Sequence, residues 1–440
     1  MEYARIQEKH RHVGHKPFFV IPMRPSLGFY RALAQENILK SLQHNDELII
    51  PFKNAWLYVT LLHLLHHLSR IPQFERPAKD TLRKLGMGNL NIAEQSLKDH
   101  LINYVIRWFK NLKKVGPIER FETEKEPINE ETLFAVYEKI GDQSVSLGVR
   151  ILIFYDQLDE LWAGDQLSIL ALQGLLHNIM ELQSLRKTLK PILLLRDDIF
   201  EMVTENFQHL DKLEENIEQI TWSETDIVEL LALRIKSSLS HHGRKWPQKM
   251  QPEEFWHLVF PEEIPAKKKP IPVTAYMVER TLLRPRDIIL FAKYAQEEAL
   301  NKKHSKVEVI DLKEAEIRYS RAKLRDLISQ INYRYPGIKK LLESFYGRTV
   351  GYDIEDLRIY ILELIESLKS EGLYWLSDDE REVIKFLFKI GFLSYTERGG
   401  VLRGTRVIHS GNRPEAETIL EQKRIYISPI FRRALALKER

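Results

Sequence analysis

Residues 149–160 read VRILIFYDQLDE, and the fold class turns on them. The run from Val149 to Tyr155 is continuously apolar apart from Arg150, and it is rich in β-branched and aromatic side chains. Such a run suits a strand buried on both faces, as in a parallel sheet. It ends in a cluster of acids, Asp156, Asp159 and Glu160. Working downstream, Leu167–Leu185 has the spacing of an amphipathic helix. Pro191–Leu195 (PILLL) then reads as a second buried strand, ending in Arg196-Asp197-Asp198. Strand, acidic tip, helix, strand, polar tip is a βαβ unit. Upstream, Phe18–Ile21 is a strand candidate stopped by Pro22 and Pro25. Asn54–Leu68 places Leu57, Leu61, Leu64, Leu65 and Leu68 at helical spacing, and Leu97, Leu101, Val105, Ile106 and Phe109 continue that period.

Past Thr221-Trp222 the chain reads as helix, with Ile227, Leu230, Leu231 and Ile235 on one face. Residues 261–272, with Lys267–Lys269, read as a loop or hinge. Another helix begins at Thr281-Leu282-Leu283-Arg284-Pro285-Arg286-Asp287, and residues 311–345 are helical and strongly charged. The last 90 residues show helix patterns at 354–369 and 378–390, then a turn-rich, strand-like passage closing on Arg424–Pro429.

The 440 residues leave room for about three domains. With 44% hydrophobic and 29% charged residues the composition is that of an ordinary globular protein. Cysteine is absent, which excludes disulfides, thiolate metal sites and a cysteine nucleophile, and fits a cytoplasmic setting. Lys and Arg number 66 against 62 Asp and Glu, a net +4 that does not by itself argue for nucleic acid. No apolar run approaches the roughly 18 residues of a membrane span, and the N-terminus lacks a signal-peptide core. The histidine groups, His10/His12/His15 and His63/His66/His67, read as surface or helix-edge residues. There is no G-x-S-x-G elbow and no H-E-x-x-H.

Ligands of open parallel sheets sit at the carboxyl ends of the strands. Asp156 is therefore placed to hold Mg²⁺ through its water shell, since Mg²⁺ takes hard oxygen ligands. Glu160, with Asp159 beside it, is the candidate for orienting or polarising an attacking water. Nucleotide hydrolysis needs both jobs. The plainer alternative is a buried strand whose acids cap the next helix. Arg196, at the tip of the following strand, is placed to sense a γ-phosphate. Its alternative is an ion pair with Asp197 or Asp198 at a helix start. Arg284 and Arg286 flank a proline at a first helical turn, where they either reach a nucleotide from a helical lid or serve as a solvated pair.

Taken in order, Ile151–Leu161, Pro191–Glu201, Thr221-Trp222, Leu283–Phe291, Tyr335-Pro336 and the ending IGFLSYTE…IYISPIFRRAL resemble bacterial P-loop ATPases of the STAND and origin-recognition-like AAA+ group, including its defence-type members. The likeness covers residues 140–440 well and the first 140 loosely. It implies an α/β P-loop NTPase-like core, a parallel sheet flanked by helices, over 1–220. A helical lid follows over 221–350 and a winged-helix-like domain over 351–440. It implies ATP and Mg²⁺ as cofactors, Walker B roles for Asp156 and Glu160, a sensor role for Arg196 and a second-sensor role for Arg286. It also implies a switch, in which a protein effector or self-association is a further expectation and a membrane is not.

One departure stands out. None of the 19 glycines belongs to a G-x-x-x-x-G-K-[ST], the loop whose backbone N–H groups cradle phosphates. Met1–Ile6 looks like the helix that follows such a loop, so the expectation is that the loop lies upstream of residue 1 and that this polypeptide binds ATP poorly. From Arg398 to Arg440 there are ten Lys/Arg against four Asp/Glu. Arg398, Arg403, Arg406 and Arg413 fall where a winged helix has its wing, and are the candidate DNA contacts. The alternative function is a non-hydrolysing scaffold that binds DNA or a protein through that C-terminal domain.

Overall fold

The computed structural model describes residues 18–24, 49–85, 104–105, 129–159, 162, 165–185, 188–205, 207, 210–241, 250–266, 269–332, 334–400, 402, 405–412 and 414–438. The chain divides into two compact units, Met1–Glu218 and Gln219–Arg440. Glu160, Arg403, Arg413, the N-terminal histidines and most of the 97–109 helix pattern lie outside the described residues.

The first unit runs β1 (Phe18–Met23), α1 (Ile49–Leu68), α2 (Glu75–Lys84), α3 (Glu130–Ser146), β2 (Arg150–Tyr155), α4 (Gln166–Leu185), β3 (Leu189–Leu193), α5 (Asp197–Thr204) and α6 (Leu210–Glu214). The strands form a parallel sheet in the order β1-β2-β3, so β2-α4-β3 is the expected βαβ unit. Tyr155, the last residue of β2, pairs with Met23 on one side and Leu193 on the other. Ile151, Ile153 and Tyr155 are wholly buried, while Leu152 and Phe154 are half-buried. A continuous apolar run does not distinguish full from half cover of the second face.

Two boundaries differ from the sequence reading. β1 continues through Pro22 to Met23, and β3 spans Leu189–Leu193 with Pro191 inside it. Among the described residues each pairs with β2 alone, and a strand paired on one side tolerates a proline because its other side needs no N–H donor.

Helix α1 is buried almost all round, which is why its apolar residues do not stay on one stripe. Its Trp56 Nε1 donates to the Ala171 carbonyl at 2.8 Å, and Thr60 Oγ1 meets the Tyr155 hydroxyl at 2.6 Å. At its crossing with α4, Gly174 lets the backbones touch: a Cβ there would lie 2.6 Å from Phe52 Cβ and 2.8 Å from Lys53 N. Lys53 ties α1 to α3 through Glu130 at 2.7 Å and to α4 through Glu181 at 3.0 Å.

The second unit runs α7 (Glu224–His241), α8 (Pro252–His257), β4 (Glu263–Ile264), β5 (Ile271–Pro272), α9 (Val273–Val278), α10 (Pro285–Asn301), α11 (Val309–Ile331), α12 (Ile338–Glu343), β6 (Gly351–Asp353), α13 (Ile354–Ser370), α14 (Glu380–Lys389), β7 (Leu393–Arg398), β8 (Thr405–Ile408) and β9 (Arg424–Ile427). Helix α10 starts on Pro285, whose missing N–H costs nothing at a first turn. Helix α14 is capped by Asp379, which accepts from the Arg381 N–H at 2.8 Å. The C-terminal strands form an antiparallel sheet, β6-β9-β7-β8. One hydrophobic core runs from Ile227 on α7 to Leu435 near the C-terminus. Within it Phe291 of α10 stacks on Tyr319 of α11, with centroids 4.7 Å apart.

The same core holds a buried polar network. Glu316 of α11 accepts from Arg280 Nε at 2.6 Å and from the Tyr276 hydroxyl, and pairs with Arg433 at 3.4 Å. Arg280 also lies over the Tyr276 ring, 3.5 Å from its centroid. Burial pushes the Glu316 carboxyl up, but Arg280, Tyr276 and Arg433 outweigh it and hold it below the usual carboxylate range.

Candidate functional site

The parallel arrangement brings the ends of β1, β2 and β3 to one edge of the sheet. Asp156 follows β2 directly. Its N–H donates to the Met23 carbonyl at 3.1 Å, which extends the β1–β2 ladder by one bond and fixes the residue. Its side chain accepts from the Gln157 N–H at 2.9 Å. Gln157 has φ +63°, a left-handed backbone uncommon outside glycine. Leu158 is fully buried and anchors the turn. A fixed acid followed by a tight, left-handed turn leaves the Asp156 carboxylate at the sheet edge with 36% of its side chain exposed.

Arg24, one residue past β1, reaches that carboxylate at 3.5 Å. The sequence reading missed this arginine. Its only signal is that it is the first cation after a candidate strand, and the partner of that strand is unknown until pairing and register are seen. Asp159 is half-buried, and its carbonyl accepts from the Trp162 N–H at 3.3 Å.

On the other flank, the Leu194 N–H donates to the Tyr155 carbonyl at 2.9 Å, continuing the β2–β3 ladder. Arg196 lies two residues further on, exposed, as the residue before α5. It grips Asp198 with two bonds, Nε to Oδ1 at 3.0 Å and Nη2 to Oδ2 at 2.6 Å. The ion pair at a helix start, one of the two readings open for Arg196, is therefore the arrangement it adopts here. At this edge Arg24 meets Asp156, Asp159 follows in the same turn, and Arg196 past the neighbouring strand is turned to Asp198.

Arg284 and Arg286 belong to the second unit. Both are exposed, at the head of α10. The neighbouring Asp287 is buried and bound to Lys323 of α11 at 3.0 Å, so it is structural. Arg398 ends β7 and Arg406 lies on β8. Both are exposed, and Arg406 is 3.7 Å from Glu397 on the facing strand. His66 and His67, neighbours on α1, are half-buried, and burial first and Arg70 second lower both below the ordinary histidine value. Among the described residues no three His, Asp or Glu side chains gather as a metal site. A cavity of about 340 Å³ is lined by Arg76, Pro77, Asp80, Thr81, Lys84 and Lys139, on α2 and α3 rather than at the strand ends. No described helix is long and apolar enough to cross a membrane.

Residues 225–328 match the family described as the FunZ-associated C-terminal helical domain. The match coincides with α7 to α11, the first five helices of the second unit. A putative transposon gamma-delta 80.3 kDa protein of Escherichia coli K12 is 24% identical over 197 residues, which is 44% of this chain and 27% of that protein. The chain thus spans well under a third of that relative's length. Among solved structures, the ORC2 protein of Aeropyrum pernix in its ADP form is 12% identical over 73% of each chain, with a TM-score of 0.29, a likeness too slight to identify a fold.

Proposed function

We propose that this chain is a nucleotide-responsive switch of the STAND and AAA+ kind, acting in the cytoplasm with ATP and Mg²⁺ at the carboxyl edge of its parallel sheet. One observation carries the proposal: Asp156 is pinned by the Met23 carbonyl at the end of the central strand, yet keeps an accessible carboxylate. A hard, partly exposed carboxylate at that position fits Mg²⁺ held through water, and the ion would offset phosphate charge. The reading assigns water orientation to Glu160 and Asp159. It assigns phosphate sensing to Arg196, Arg284 and Arg286. Without a G-x-x-x-x-G-K-[ST], phosphate contact rests on side chains, and affinity is expected near the millimolar range, about −4 kcal/mol.

Hydrogen exchange of the whole chain tests this. At about 10 mM Mg-ATP, several times the expected Kd, peptides covering 150–162 and 189–198 should slow, and Mg-AMP should leave them unchanged. Equal exchange with and without Mg-ATP would remove the proposal.

A second reading is favoured by the two hydrogen bonds from Arg196 to Asp198, which occupy the arginine. In it the chain is a non-hydrolysing scaffold that binds DNA or a protein. The order β6, α13, α14, β7, β8, β9 supports a winged helix with the β7–β8 hairpin as its wing. Lys385 of α14 is already paired with Glu382 and with Glu417 of the segment between β8 and β9. That points to the hairpin, through Arg398 and Arg406, as the DNA surface, with Arg403 and Arg413, which lie outside the described residues, as further candidate contacts. The relative's name speaks of a transposon, so the reading takes mobile DNA as the setting, and the defence role stays part of the proposal. A salt-dependent gel shift with duplex DNA tests it: each arginine removed should lower the salt slope by about one, and no shift at low salt overturns it.

A further inference from the structure

The loop that carries Arg284 and Arg286 is built against a turn from far along the chain. Leu283, just before Arg284, has φ +52°. A branched side chain in that left-handed region persists only when its surroundings hold it. Part of the hold is local. The Leu283 N–H donates to Thr281 Oγ1 at 3.3 Å, and the Leu282 N–H points to Asp287 Oδ2 at 3.4 Å. The rest comes from residues 409–412, immediately after β8.

Gly411 lies backbone to backbone against Leu282. A Cβ on it would be 2.3 Å from the Leu282 carbonyl oxygen and 2.8 Å from its carbonyl carbon. Gly391, with φ +79°, closes on the same place: a Cβ there would be 2.8 Å from Ser410 Oγ and 3.0 Å from Leu282 Cδ1. His409 is 2% exposed. Its Nδ1 accepts from the Gly411 N–H at 3.0 Å, its backbone N–H donates to Asn412 Oδ1 at 3.0 Å, and its ring is hydrogen-bonded to the Thr281 backbone. The imidazole therefore joins the turn to the loop on both sides.

We propose that His409 and Gly411 are positioning residues, and that the turn after β8 fixes the Leu282–Leu283 backbone and so sets the direction in which Arg284 and Arg286 leave the head of α10. The β7–β8 hairpin, which carries Arg398 and Arg406, leads straight into His409. The inference rests on the nucleotide-switch reading only for what the two arginines sense. The placement of the loop is independent of it.

Hydrogen exchange of the full chain, with neither nucleotide nor DNA, tests the placement. The peptide 279–288 reports on the loop and 357–368 on the core of α13. Gly411→Ala and His409→Ala should speed exchange in 279–288 by about tenfold while 357–368 is unchanged, the signature of local opening. His409→Asn keeps an acceptor for the Gly411 N–H and should return 279–288 close to the wild-type rate. If Gly411→Ala does not fold, the two His409 variants decide. Unchanged exchange at 279–288 in His409→Ala, or an equal rise in both peptides, overturns the proposal. Because no ligand enters, its failure is separate from failure of nucleotide binding.

Discussion

Asp156 in the first unit and Glu316 in the second are both carboxylates facing arginine, and they are held in opposite ways. Asp156 stands at a sheet edge, 36% exposed, with Arg24 at 3.5 Å. The Glu316 side chain is 3% exposed and takes Arg280 at 2.6 Å, the Tyr276 hydroxyl and Arg433 at 3.4 Å. A buried charge must be fully partnered, because leaving it unpaired costs several kcal/mol. An exposed one is stabilised by water and gains little from a single neighbour. The first arrangement leaves a carboxylate able to take a new ligand. The second leaves none, and ties α9, α11 and the C-terminal segment into one core.

The largest test of this contrast is to break the buried network. Arg280→Ala leaves the buried Glu316 carboxylate with only Tyr276 and the longer Arg433 contact, and should cost about 3 kcal/mol, the low end of the cost of breaking a buried pair, read from the urea midpoint of the second unit. A loss under about 1 kcal/mol would make the network no more structural than a surface pair.

Next in size is a pH effect in the same unit. Burial first, then Arg284, lowers His409 from its ordinary value to about 4. Folding therefore demands the neutral ring. Above pH 6.5 both states are neutral and nothing is lost. As pH falls below 6.5 the unfolded chain takes the proton first, and stability drops until pH reaches about 4, by about 3 kcal/mol in all. Unfolding midpoints between pH 7 and 4.5 should show the drop, and His409→Asn should flatten it. Glu316 adds a loss with the same sign at lower pH, since its folded value is depressed and its contribution disappears as it protonates.

In the first unit the comparable structural test is Gly174→Ala. The new methyl would meet backbone as well as Phe52 Cβ, with Lys53 N at 2.8 Å, so α1 and α4 must move apart. Overpacking of this kind costs about 1–3 kcal/mol. A neutral result would mean that the helices separate freely, which their burial argues against.

What was legible in the sequence follows the same division. The βαβ unit showed because Val149–Tyr155 and Leu167–Leu185 carry the periods of strand and helix, and those periods arise from burial along one short segment. The helix start at Pro285 showed for the same local reason. Arg24 beside Asp156 did not show, because the two meet only through the register of β1 against β2. The bond between Arg196 and Asp198 was one of two readings, since a spacing of two residues permits the pair without requiring it. His409 against Thr281, and Glu316 with Arg433, join residues more than a hundred positions apart. Hydrophobic pattern has no term for such contacts. Nothing in the sequence around Gly411 marks it out; only the fold brings the Leu282 carbonyl to 2.3 Å from where its Cβ would be.

The smallest expected change in stability decides most about function. Asp156→Asn removes a charge whose one described ion-pair partner is Arg24 at 3.5 Å, with that arginine 59% exposed. The amide oxygen still accepts from the Gln157 N–H, so the turn survives, and the unfolding midpoint should move by no more than about 0.5 kcal/mol. The same substitution removes the hard anionic oxygen that a hydrated Mg²⁺ needs. The slowing of exchange that Mg-ATP produces at 150–162 should therefore vanish in this variant while the fold stays intact. If Asp156→Asn instead destabilises the first unit as much as Arg280→Ala does the second, the sheet-edge acid is a structural charge like Glu316, and the contrast between the units fails.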